Sequence, residues 1–143
     1  GVGATVNLPL EAGAGDADLD EVFRAIAVPV LDSFRPELVL VSAGFDAHRD
    51  DPLGGLRMTP AGFANLARLL EGVVHRHAGG RVVYATEGGY DIEGLTMSLD
   101  AVLGVLADRR AETPDSSVDG DRTRGRQTVA DARHALVAHW PGL

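Results

Sequence analysis

The sequence predicts an α/β fold, a three-layer domain in which a parallel sheet carries helices on both faces, and of which this chain supplies an incomplete part. Three observations carry that reading. Strand-like and helix-like segments alternate along the chain, an order that implies parallel strands joined by right-handed crossovers. The run 38–43 (LVLVSA) is apolar without alternation, as in a strand buried on both faces. Three such strands make a small sheet whose edges need cover, so further strands are expected from elsewhere.

The elements follow in order. Residues 4–10 (ATVNLPL) read as a strand with Pro9 near its end, and 11–18 (EAGAGDAD) as a loop. Asp16 or Asp18 is expected to cap a helix on which Val22, Phe23, Ile26, Val30 and Leu31 recur at helical spacing. Pro29 should kink that helix or remove one hydrogen bond, and Pro36 marks its exit. After the strand 38–43 comes a long loop, 44–58 (GFDAHRDDPLGGLRM). Thr59 reads as an N-cap with Pro60 at the first helical position, and Gly79-Gly80 ends that helix near His77. Residues 81–86 (RVVYAT) form the third strand, 87–91 (EGGYD) a loop, and 92–107 a helix. The organisation expected is a main body over 1–108, a charged linker or loop over 109–126 and a short terminal helix and tail over 127–143.

The 143 residues suit one domain, and 45% hydrophobic with 24% charged residues is ordinary for a globular chain. With no cysteine, thiolate zinc sites, cysteine nucleophiles and disulfides are excluded, which fits a reducing, cytoplasmic setting. No apolar run is long enough to span a bilayer, and no signal-like segment opens the chain. The chain begins with Gly and enters a strand-like run directly, as expected of a start in mid-protein. A net charge of -8 opposes nucleic acid binding. It also attracts cationic partners, although acidity for solubility alone accounts for the same number. Neither nucleic acid nor membrane is expected as a partner; a homo-oligomer is compatible.

In open parallel sheets, ligands bind beyond the carboxyl ends of the strands. Two of the loops at those ends hold Asp46, His48, Asp50 and Asp51, and Glu87 and Tyr90 beside Gly88 and Gly89. Taken alone, Asp51 before Pro52 reads first as a turn former. Asp46 and His48 have a ligand-like spacing, yet shaping the loop explains them as well. Tyr90 after two glycines is a candidate hydroxyl donor to a carbonyl, or a packed tyrosine on a turn. His75 and His77 do not share a helix face and suit the helix C-terminus instead. No phosphate loop and no nucleophile elbow is present.

In combination, residues 4–10 with 13–16 (GAGD), 36–48 (PELVLVSAGFDAH), 51–55 (DPLGG), 59–63 (TPAGF) and 87–90 (EGGY) resemble the C-terminal half of histone deacetylase family proteins. The resemblance is to the class II-like and bacterial branch, which includes acetylpolyamine amidohydrolases, and covers roughly 1–107. It implies an arginase-like α/β fold with a larger parallel sheet, and a zinc ion held by two aspartates and a histidine. Asp51 matches the second aspartate. Tyr90 matches the tyrosine that hydrogen-bonds the substrate carbonyl, and Gly88 and Gly89 line the acyl-lysine channel. The family's Asp-x-His ligand pair and its tandem catalytic histidines have no match; Asp46-Ala47-His48 is similar in spacing only. The implied activity is hydrolysis of an acetylated amine, acetyl-lysine or acetylpolyamine, with Zn2+ bound in the complete protein and this chain inactive alone. The alternative is a degenerate, non-catalytic homologue kept as a binding or assembly module.

Overall fold

The computed structural model describes residues 3–108 and 118–143. Its first helix, α1 (Asp16–Val22), is capped by Gly15, whose backbone N–H donates to Asp18 Oδ2 at 3.0 Å. Neither expected aspartate is therefore the cap. Asp16 instead accepts the Thr59 N–H at 2.8 Å and the Thr59 hydroxyl at 2.6 Å, fastening the start of α1 to the helix start at Thr59. The chain continues through a π-helical turn (Phe23–Ala27) into α2 (Val28–Phe34). Pro29 explains the turn. It has no N–H, and its ring crowds the carbonyl one turn back, so a wider turn placed just before it removes the conflict. Arg35, at φ 55°, closes the helix ahead of Pro36.

Strand β1 (Val39–Ala43) pairs in parallel with β2 (Val82–Thr86), Val39 opposite Val82 and Ala43 opposite Thr86. Between them α3 (Pro60–Val73) starts as expected at Thr59, whose hydroxyl accepts the Gly62 N–H at 3.3 Å. A second π-helical turn, Val74–Ala78, ends it, with Gly79 left-handed at φ 58° and the Gly80 N–H returning to the Val74 carbonyl. His77 reaches sideways rather than to the helix end: its Nε2 lies 2.9 Å from Asp32 Oδ1, beside the Arg76–Asp32 pair. Helix α4 (Ile92–Ala107) is capped by Asp91, which accepts the Gly94 N–H at 2.6 Å.

Residues 5–10 form no strand. Pro9 has no N–H for a ladder, and its carbonyl accepts the Thr128 hydroxyl. Val6, Leu8 and Leu10 pack instead on a core of Val22, Ile26, Val30, Val129, Ala132 and Leu136. Among the described residues the sheet thus has two strands where three were expected. Helix α5 (Thr123–Leu136) begins earlier than the terminal helix predicted from 127. It is docked, not a tail: Gly125 donates to Asp18 Oδ1, and Gly125 lies so close to the Asp18 backbone that a Cβ would come within 2.5 Å of its carbonyl. Residues 109–117, half of the expected linker, lie outside the described residues.

A second core joins the long loop after β1 to α3 and α4. It contains Ala14, Phe45, Met58, Phe63, Ala67, Val102 and Val105, with the Phe45 and Phe63 rings 5.1 Å apart. One face of the sheet is half-buried, and on it the Tyr84 hydroxyl donates to Glu71 of α3 at 2.9 Å. On the other face Leu40 and Val83 are exposed.

Candidate functional site

Parallel pairing aligns the ends of β1 and β2, so the two loops leaving them emerge side by side. Backbone bonds lock them together. The Phe45 N–H donates to the Gly88 carbonyl at 2.8 Å, and the Glu87 N–H to the Ala43 carbonyl at 3.0 Å. The long loop is not loose. His48 and Met58 form a parallel bridge, the Met58 N–H donates to Ala47, and the Arg49 N–H to Met58.

Asp51 sits at the junction, 8% exposed. Its Oδ1 accepts the N–H groups of Leu53 and Gly54, each at 2.9 Å, as in the turn that an aspartate before proline favours. Its Oδ2 accepts the Tyr90 N–H at 2.7 Å, across 39 residues of sequence. The two residues singled out from the sequence are therefore in direct contact. Burial pushes the Asp51 carboxyl up, but the backbone donors Tyr90, Leu53, Gly54 and Asp91 outweigh it and hold the group below the usual carboxylate range. Asp51 is thus kept ionised.

Tyr90 is 56% exposed, its backbone fixed to Asp51 and its ring at the surface of the junction. Gly89, at φ 134°, takes a backbone conformation that favours glycine, and a Cβ there would press on Leu95 and Phe45 at 3.1 Å. At Gly88 a Cβ would lie 2.4 Å from Asp46 Oδ2; at Gly44 it would lie 3.0 Å from Asp46 Oδ1. These glycines make room for the Asp46 carboxylate between the loops, a role in loop closure that the sequence reading of Asp46 left open. His48 is 2% exposed, its Nδ1 accepting the Asp50 N–H at 3.3 Å.

The donor set answers in part to a divalent metal. An ionised carboxylate oriented by several backbone N–H groups is how a ligating aspartate is held. Among the described residues, however, no group of three or more His, Asp or Glu side chains is arranged to hold a metal ion. Asp51 fits one ligand of a set, and the described residues do not complete it.

The model of the histone deacetylase domain matches residues 1–106. The chain belongs to the histone deacetylase family. Histone deacetylase 15 of Arabidopsis thaliana is 35% identical over 144 residues, covering 100% of this chain and 25% of that protein. The Polyamine deacetylase HDAC10 of Homo sapiens is 40% identical over 144 residues, covering 100% of this chain and 21% of its own. The solved HDA15 HD domain superposes with a TM-score of 0.82 at 35% identity, over 97% of this chain and 36% of that one. The histone deacetylase Clr3 superposes at 0.83 and 31% identity, over 96% and 22%. The deacetylase fold, α/β with a parallel sheet and helices, is therefore that of this chain, which spans about a quarter or less of the length of these curated relatives.

Proposed function

We propose that this chain is the C-terminal part of the catalytic domain of a zinc-dependent deacetylase that hydrolyses the amide of an acetylated amine. The observation that carries the reading is the Asp51–Tyr90 contact at the paired strand ends. It unites a carboxylate kept ionised with a phenol free to face a substrate. Asp51 is one ligand of the zinc. Bound there, zinc supplies Lewis acidity toward the acyl oxygen. The Tyr90 hydroxyl donates a hydrogen bond to the same oxygen as negative charge develops on it. Gly88 and Gly89, without side chains, let the acyl chain pass close to the backbone.

The remaining ligands and the proton-transferring groups come from the rest of the longer protein, so the chain alone is inactive. The substrate class rests on the family and on the human relative, whose name is that of a polyamine deacetylase. An acetyl-lysine or acetylpolyamine substrate is cationic or peptide-borne, which suits a net charge of -8. A cytoplasmic setting is part of the proposal and rests on the lack of cysteine. No helix among the described residues is long and apolar enough to cross a membrane.

The test uses the full-length protein. Asp51→Ala is expected to lower zinc content, read by metal analysis, and abolish turnover of an acetyl-lysine reporter. Tyr90→Phe is expected to retain zinc and lose roughly 10²–10³ in kcat, the usual cost of one oxyanion donor. Full zinc content in the first variant, or undiminished turnover in the second, would overturn the assignment. Wild-type protein that binds zinc but turns over no acylated amine would favour the binding-module alternative.

A further inference from the structure

Buried imidazole without a full set of partners stands out beside the site. The His48 ring is 2% exposed, and its Nε2 has no hydrogen-bond partner. Its Nδ1 accepts the Asp50 N–H, so Nδ1 is the unprotonated nitrogen and Nε2 carries the proton as a donor. Ser98 Oγ is the other buried side-chain polar atom without a partner among the described residues, and Ser98 is 0% exposed. The two atoms are not hydrogen-bonded to each other.

The backbone relates them. The ring lies against Gly94 in the first turn of α4: a Cβ on Gly94 would come within 2.4 Å of His48 Nδ1 and 2.8 Å of its Cγ. Ser98 follows Gly94 by four residues and shares its helix face. Gly94 is in turn held by Asp91, the residue after Tyr90. On the other side, the His48 carbonyl accepts the Asp51 N–H at 3.0 Å. One side chain thus stands between the backbone that sets Asp51 and the helix start that sets Tyr90.

We propose that His48 is a positioning residue for the Asp51–Tyr90 site, its buried ring pegging the Asp51 loop onto the first turn of α4. The inference deepens the deacetylase reading and rests on it for its catalytic consequence. His48 touches neither substrate nor metal; it acts by fixing where the Asp51 carboxylate and the Tyr90 phenol stand relative to each other. Outer groups that orient a ligating side chain typically carry about 10–100-fold in affinity or activity.

The test uses the zinc-loaded full-length enzyme. His48→Leu keeps the bulk and removes both nitrogens. It is expected to lower kcat about tenfold per folded, zinc-containing molecule, with KM little changed. His48→Gln, whose amide N–H reaches toward the position of Nε2, is expected to recover most of the loss. Gly94→Ala, whose Cβ would come within 2.4 Å of His48 Nδ1, should displace the ring and lower kcat in the same direction, while ¹⁵N spectra of the wild type show Nδ1 unprotonated. Should His48→Leu fail to fold, Gly94→Ala and the wild-type spectrum decide. Wild-type kcat in His48→Leu or in Gly94→Ala, or a protonated Nδ1, would overturn the inference. Absence of acetyl-amide hydrolysis in the wild type overturns the deacetylase reading instead, and the two failures are told apart by that one control.

Discussion

Asp51 and Tyr84 are shifted in opposite directions for physical reasons that can each be measured. Asp51 is buried, which favours its neutral form, yet backbone donors prevail and its pKa is lowered. A group with a depressed folded pKa contributes stability that is complete above its unfolded value and lost as pH falls through the folded one. The contact between the Asp51 loop and the Tyr90 loop should therefore stay closed at neutral pH and open only in acid, below the usual carboxylate range. Tyr84 runs the other way. Burial pushes its phenol up, and the negative Glu71 beside it and the hydrogen bond they share add to the rise, carrying it well above the usual phenol range. Its contribution is present below the unfolded value and is lost as pH rises toward the folded one. The alkaline absorbance difference between the full-length protein and its Tyr84→Phe variant should then titrate late, and Glu71→Gln should bring it down. Titration at the ordinary phenol value in both proteins would contradict the Tyr84–Glu71 bond. Neither partner was legible in the sequence: Glu71 reads as one acid of a helix, and only the fold brings it to Tyr84.

At the scale of the element, local signals were read well and long-range ones were not. The start of α3 at Thr59-Pro60, the extent of α4, and both paired strands to within a residue follow from caps, apolar runs and terminating glycines, all encoded within a few positions. The failures share a cause. Residues 5–10 have the composition of a strand, but strand formation needs a neighbour, and α5 with the α1–α2 helix offers packing instead. Asp16 is an N-cap by composition and a partner of Thr59 in the structure, 43 residues away. The site itself divides in the same way. Asp51 and Tyr90 were found by family resemblance. Asp46 and His48 had ligand-like spacing, and their roles appear only against Gly88 and Gly94. The signal that was available was the glycine in the first turn of α4, a costly residue there unless something packs on it. Gly54 gives a sharper case. A Cβ there would lie 1.7 Å from the Asp46 carbonyl, so the backbone must move. Gly54→Ala in the full-length protein is expected to destabilise by about 1–3 kcal/mol and to loosen Asp51, whose Oδ1 accepts the Gly54 N–H. A melting curve with zinc analysis reads both; an unchanged melt with full zinc content would show that the loop yields without cost.

For the whole molecule, what is covered and what is open determines how this polypeptide should behave by itself. Only one face of the two-stranded sheet is packed. Leu40 is 72% and Val83 54% exposed on the other, and Leu38 is also exposed at the approach to β1. Each strand pairs on one side only among the described residues, so each also presents a row of unpaired backbone groups. Exposed strand edges beside apolar side chains are templates for association. The relatives this chain resembles are about four times longer or more, and the deacetylase fold provides the scale of sheet for which such strands are suited. Produced as a separate 143-residue polypeptide, the chain should therefore self-associate, bind a hydrophobic dye, melt without a sharp transition and hydrolyse no acetylated amine. Charge on the open face separates this cause from general instability. Leu40→Lys with Val83→Lys should raise the soluble monomer fraction severalfold in sedimentation of the isolated chain, because charge breaks up the exposed apolar patch on that face. The same pair should damage the full-length protein, where that face is expected to be buried. A monomeric wild-type chain with a cooperative melt, or lysines harmless in the full-length protein, would show that this face is a true surface.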